Sequence, residues 1–200
     1  MKYDGANWVT VGNAGFSADQ AHDISLFMYS GIPYIAYEDE GNSFKATVMK
    51  LNGLTWEAVG SAGFSSSQAQ WLSLFISSEG TPYVAFEDGG NSNKATVMKL
   101  NGLTWEVVGS AGFSAGSTYY LSFFMNSSGI PYVAYKDGGN SSKATVMKYD
   151  GANWVNVGNA GFSSGTADYI SLFINSSGIP YVAYKDAGND DKATVMKYIP

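Results

Sequence analysis

Apolar residues fall along this chain in short runs broken by Gly, Asn, Asp and Ser, and no segment carries a helical period over ten or more residues. The C-terminal part shows the pattern: YISLFIN (169–175), a turn SSG, IPYVAYKD (179–186), a loop AGND, then KATVMKY (192–198). A fourth run, NWVNVG (153–158), follows the turn DG at 150–151. Tyr, Val, Ile, Phe and Trp suit a pleated, packed surface. DG and NG between apolar runs predict hairpins, because Gly accepts positive φ. The runs are apolar on both faces: Ile170, Leu172 and Ile174 alternate with Phe173, and Tyr181 and Ala183 with Val182 and Tyr184. A sheet wetted on one side alternates apolar with polar instead. These strands are therefore expected in sheets packed between two neighbours.

The pattern repeats. Met-Lys followed by Tyr or Leu begins at Met1, Met49, Met98, Met147 and Met196, at spacings of 48, 49, 49 and 49. One domain over 1–200 is expected, with repeats 1–48, 49–97, 98–146 and 147–195 and a stub at 196–200. Four short strands per unit of this length predict an all-β, four-bladed β-propeller with four antiparallel strands, A to D, in each blade. GFS (15–17, 63–65, 112–114, 161–163) follows each D strand, where a Phe wedged between blades is expected. The last blade lacks its D strand and the N-terminus has one spare at 7–12. Pairing the two would close the ring and remove an exposed edge. The expected state is a monomer; the alternative is a dimer forming an eight-bladed ring, each D strand completing the partner's last blade.

Through G-x-PY-[VI]-A-[YF] and NG-x-x-W, across all four units, the chain resembles β-propellers of recently amplified tandem repeats in bacterial surface proteins. Its size and blade count resemble the four-bladed disc of the hemopexin family, without that family's motifs or disulfide. D-x-G-x-x-W (Asp150, Gly151, Trp154) is similar to the Asp-box of sialidase-like propellers, a structural turn, with its upstream Ser missing.

Composition narrows the partners. A net charge of −6 and a pI near 4.6 repel a phosphate backbone, so nucleic acid is not an expected partner. No apolar run is long enough to span a bilayer. With no Cys there is no disulfide, thiolate metal site or cysteine nucleophile. An extracellular or cell-surface location is expected although no signal peptide opens the chain, with a cytoplasmic one as the alternative.

One segment varies where its surroundings do not: ADQAHD (18–23), SSQAQW (66–71), AGSTYY (115–120) and SGTADY (164–169). It enters the innermost strand, so its copies should ring one mouth of the central channel. Its last position holds Asp23, Trp71, Tyr120 and Tyr169, and the one before it His22, Gln70, Tyr119 and Asp168. The B–C loops reach the same face and vary at Phe44, Asn93, Ser142 and Asp191, each before an unchanged Lys. Aromatics beside Asp, Gln and His suit a ligand whose apolar face stacks while polar tips orient it, as a sugar's would. The predicted ligand-binding set is His22, Asp23, Gln70, Trp71, Tyr119, Tyr120, Asp168, Tyr169, Phe44 and Asn93. The competing reading is a channel plug, or loops that drift because little constrains them. Trp8, Trp56, Trp105 and Trp154 are expected to pack a blade edge rather than serve as a lectin platform. Asp39, Asp88, Asp137 and Asp186 are expected to close their loops by hydrogen bonds or to pair with the Lys six residues on, since calcium wants more oxygens than each loop offers.

The function expected from these residues is a non-catalytic binding or adhesion module for a glycan or protein ligand, lectin-like, with no cofactor and no metal. One alternative is a structural or protein-interaction repeat domain of a larger surface protein. A second is a glycosidase, with Asp23 facing Asp168 across the mouth. His22 is the only His, and no nucleophile–base spacing or Walker-type loop is present, so no catalytic residues are expected.

Overall fold

In the computed structural model, which describes residues 1–199, the apolar runs pair into antiparallel sheets. A hairpin of β1 (Lys2–Tyr3) and β2 (Trp8–Val9) comes first. The first four-stranded sheet holds β3 (Ala21–Tyr29), β4 (Ile32–Asp39), β5 (Lys45–Asn52) and β6 (Thr55–Ala58). The second holds β7 (Ala69–Ile76), β8 (Pro82–Asp88), β9 (Lys94–Asn101) and β10 (Thr104–Val107). The third holds β11 (Thr118–Met125), β12 (Pro131–Asp137), β13 (Lys143–Tyr149) and β14 (Trp154–Asn156). The last sheet has three strands, β15 (Ala167–Ile174), β16 (Pro180–Asp186) and β17 (Lys192–Lys197). Strands pair in chain order within each sheet, and the inner strands β3, β7, β11 and β15 contact one another in succession. The first unit is one residue shorter because Ser30 (φ +49°) and Gly31 (φ +79°) join β3 to β4 by a two-residue turn of the hairpin-favouring kind.

The core lies between sheets. Leu72, Leu74 and Ile76 of β7 are buried against the first sheet, Leu121, Phe123 and Met125 of β11 against the second, and Ile170, Leu172 and Ile174 of β15 against the third. One aromatic joint is made three times, tying the first sheet to the segment after the N-terminal hairpin, the second sheet to the first and the third to the second, while the third and fourth sheets pack without it. The Trp56 indole donates to the Val11 carbonyl (3.1 Å), Trp105 to Val59 (3.0 Å) and Trp154 to Val108 (2.8 Å). Each indole stacks on a Phe: Phe16 on Trp56, Phe64 on Trp105 and Phe113 on Trp154, with centroids 4.1–4.3 Å apart. At Gly60 (φ +73°) a Cβ would come within 2.8 Å of the Trp105 indole nitrogen, so only Gly lets the chain pass under that ring. Trp56, Trp105 and Trp154 with the first three GFS segments are thus inter-sheet packing, whereas Trp8, expected to pack in the same way, is 69% exposed because no sheet lies against it.

The B–C loops are closed from within. Asp88 Oδ2 accepts from Asn91 and Thr96 (both 2.8 Å) and its Oδ1 from the Gly90 N–H (3.0 Å), and Asp137 repeats the set. The hydrogen-bonded loop, rather than an Asp–Lys pair, is what these residues build.

The chain does not close into the expected ring. β2 pairs only with β1, and β17 only with β16. The sheet arrangement itself explains the miss. Ile24, Leu26 and Met28 of β3 are 60, 64 and 56% exposed, whereas their counterparts in β7, β11 and β15 are buried. Val195 of β17 is 67% exposed, against 1, 0 and 4% for Val48, Val97 and Val146. Three packed joints therefore leave the first and last sheets apart, and the spare strand out of reach.

Trp105→Ala should lower the unfolding free energy by about 3–5 kcal/mol, because it removes a buried ring, its stacking partner and a hydrogen bond together. Urea denaturation followed by far-UV circular dichroism measures it; a loss under about 1 kcal/mol would contradict the joint.

Candidate functional site

The variable segment enters each inner strand through a bulge. Register shifts between His22 and Ser25, Gln70 and Ser73, Tyr119 and Ser122, and Asp168 and Ser171. The residue inside each bulge is left-handed without being Gly: Asp23 (φ +46°), Trp71 (+53°), Tyr120 (+51°) and Tyr169 (+54°). Such a backbone costs on the order of 1 kcal/mol per residue and is held only where the surroundings over-determine it. A bulge re-aims a side chain that a regular strand would direct elsewhere. Here it brings three rings into a ladder, Trp71 to Tyr120 at 4.6 Å and Tyr120 to Tyr169 at 4.8 Å between centroids. A second ladder runs alongside on the inner strands, Phe27–Phe75–Phe124–Phe173, at 4.8, 5.3 and 5.1 Å.

The polar members divide into separate groups. Asp23 Oδ2 accepts the Trp71 backbone N–H at 2.8 Å, at the first joint between sheets. Asp168 Oδ1 sits 2.7 Å from Lys136 Nζ, at the third. The structure thus engages the two carboxylates with different partners. His22 lies 3.4 Å from Glu40 and its ring is 6.0 Å from Phe44. Lys136 also lies over Tyr119 and Tyr120, at 6.0 and 5.7 Å from their centroids. Gln70 pairs with Glu87 in the ladder between β7 and β8. Phe44 (φ +62°) and Asn93 (φ +60°) serve the backbone: each N–H bonds the Asp39 or Asp88 carbonyl, and each carbonyl accepts the N–H of Ala69 or Thr118 in the next sheet.

Behind the mouth stands a second row that sequence reasoning missed. Glu38, Glu87, Lys136 and Lys185 pair across the ladder with His22, Gln70, Tyr119 and Asp168. Each precedes the invariant loop Asp at the end of an apolar strand, and the signal was the change Glu, Glu, Lys, Lys at that one position. Glu38 is buried, and Gln68 donates to its Oε1 at 2.8 Å; burial raises its pKa, only partly offset by that hydrogen bond. Glu87 is 3% exposed and its Oε2 has no hydrogen-bond partner. Burial first, and the charge of Asp23 second, push its carboxyl up to about 7. A carboxyl so placed holds its proton closer to neutrality than an exposed glutamate does. Among the described residues no three His, Asp or Glu side chains converge as a metal site. No helix is long and apolar enough to cross a membrane.

No family model matches the chain, and no curated protein sequence matches it. Solved structures do. An exo-β-1,3-galactanase from Clostridium thermocellum superposes with a TM-score of 0.55 at 13% identity, over 90% of this chain and 46% of that one. The exo-β-1,3-galactanase of Phanerochaete chrysosporium, solved with β-1,3-galactotriose, gives 0.57 at 15% identity, over 89% and 47%. An endo-1,4-β-xylanase from Bacteroides thetaiotaomicron gives 0.55 at 13%, over 92% and 79%. The chain spans less than half the length of the two galactanases. The expectation of a non-catalytic binding module meets a contrary finding here: the matched chains are named as galactanases and a xylanase. At these identities what is shared is the fold, an all-β array of four-stranded sheets like that of propellers.

Proposed function

We propose that the mouth formed by the inner-strand bulges is a glycoside-cleaving site. The observation that carries the reading is Glu87, a buried carboxyl raised to about 7 whose Oε2 lacks a partner, with Asp23 near enough to raise it further. In this reading Glu87 gives its proton to the glycosidic oxygen as the C–O bond breaks. Asp23 takes a proton from the attacking water, whose oxygen bonds the sugar carbon. Trp71, Tyr120 and Tyr169 offer ring faces on which sugars stack. The likeness to galactanases and a xylanase supports carbohydrate as the substrate class.

Hydrolysis of a panel including β-1,3-galactan, xylan and arabinoxylan, followed by reducing-end release, tests it. Glu87→Gln and Asp23→Asn should each lower kcat by about 10²–10⁴-fold, and Trp71→Ala should raise KM with less effect on kcat. No turnover on any glycan, or turnover unchanged in the Glu87→Gln, Asp23→Asn double variant, would refute it.

The same carboxyl links stability to pH. Its folded pKa lies above the unfolded value of 4.5, so the folded state holds the proton more tightly. The stabilisation is complete below about 4.5 and is lost as pH rises through about 7, by on the order of 2–3 kcal/mol. Thermal melts should therefore show wild type losing more stability than Glu87→Gln between pH 5 and pH 8. Parallel pH profiles for the two would contradict the buried, protonated Glu87.

A further inference from the structure

Each inter-sheet joint has two halves, and the molecule carries one of each unused. The Trp56, Trp105 and Trp154 indoles reach back to the carbonyls of Val11, Val59 and Val108. Trp8 holds the same place after its turn, yet it is 69% exposed and its ring neighbour is Tyr3, 6.0 Å away between centroids. At the far end the Val157 carbonyl holds the position of those three acceptors, and no indole donates to it. Phe162, the counterpart of Phe16, Phe64 and Phe113, stacks on no Trp and meets Tyr184 edge-on instead. Between them lies a cavity of about 380 Å³ lined by Val157, Gly158, Phe162, Met196 and Tyr198. A cavity of roughly 150 Å³ already accepts a benzene ring, so this one has room for an indole.

The backbone repeats the message. In the three internal joints the N–H of Ala69, Thr118 and Ala167 bonds the carbonyl of Phe44, Asn93 and Ser142 in the preceding sheet. Likewise Leu74, Phe123 and Leu172 donate to Ser25, Ser73 and Ser122. The corresponding donors of β3 are Ala21 and Leu26, and the corresponding acceptors of the last sheet are Asp191 and Ser171; neither set is joined to the other. Tyr149–Gly158 reads YDGANWVNVG and Tyr3–Gly12 reads YDGANWVTVG, differing only at Thr10. The former supplies β14, which pairs with β13 by Met147↔Asn156, Lys148↔Val155 and Tyr149↔Trp154.

We propose that these two ends dock on each other between two copies of this chain. β2 of one copy leaves β1, which holds against it the register that β13 holds against β14, and becomes the missing fourth strand beside the other copy's β17, while Trp8 enters the cavity, stacks on Phe162 and donates to the Val157 carbonyl. The exposed Ile24, Leu26 and Met28 then cover Phe173 and Val195. The occupant is a second copy because the surface is the joint the chain already makes three times, with the same residue types on each side. The contact is head-to-tail, and two such contacts related by a two-fold axis close a ring of eight sheets.

Analytical ultracentrifugation of the 200-residue chain should show a concentration-dependent species of twice its 21.3 kDa mass. Its formation should shift Trp emission to the blue as Trp8 leaves water. Trp8→Ala should weaken association by at least about 30-fold, as loss of a central aromatic anchor does. Leu26→Lys and Val195→Lys alter exposed side chains on opposite halves and should each give a folded monomer. Mixing the two variants should restore association, because one intact half survives on each. A wild-type monomer at about 100 µM, association unmoved by Trp8→Ala, or variants that stay monomeric when mixed would each overturn the proposal.

Discussion

The indole-to-carbonyl joint between sheets governs the rest of this molecule. A two- to four-residue outer strand cannot hold a sheet edge by itself, since each adds only a few ladder hydrogen bonds worth about 1 kcal/mol apiece. Trp56, Trp105 and Trp154 solve this by leaving their own sheet and hydrogen-bonding the end of the preceding outer strand while a Phe closes over them. The apolar faces of the inner strands then have no option but to pack on each other. The near-constancy of Trp, Val-Gly and GFS through four units is the sequence form of this one geometric demand.

Because the joints and loop closures are made by constant residues, the bulge positions are released to differ. The bulge residues need only tolerate a left-handed backbone, which the neighbouring hydrogen bonds impose. That freedom lets one copy place a carboxylate, Asp23, where the other three place rings. The row behind follows the same logic with opposite signs: Glu38 and Glu87 in two sheets, Lys136 and Lys185 in the others. Lys136 neutralises Asp168 across the third joint, whereas Glu87 has no cation opposite and keeps a proton instead. A fold built from near-identical parts thus acquires an asymmetric end without altering its scaffold.

Strand positions were legible because YISLFIN, IPYVAYKD and KATVMKY combine β-favouring residues with Gly- and Asn-rich breaks, and each falls on a strand. The apolar character of both faces implied sheets packed between sheets, which holds for the second and third, whereas the last sheet, from which it was read, leaves Phe173 and Val195 exposed on one face. Ring closure was not legible. Sequence shows that NWVTVG matches the missing strand, but the angle between sheets depends on how Phe27, Phe75, Phe124 and Phe173 stack along the inner edge, a three-dimensional quantity. The variation at 22–23 and its copies was legible against constant flanks, and these residues fall at the four inner-strand bulges. Glu87 escaped notice because a Glu before Asp in FEDGGN reads as a solvated turn, and only the folded structure shows it buried.

Burial of Glu87 also bears on how such a carboxyl would work. Its raised pKa comes from desolvation more than from Asp23, so wetting the mouth would lower it and a ligand that expels water would raise it. Ring faces of Trp71 and Tyr120 stacked on a sugar would do the latter, strengthening the proton's hold until the leaving oxygen draws it away. In the proposed reading, aromatic ladder and buried acid would act together, because exclusion of water is what raises a glutamic acid toward neutrality.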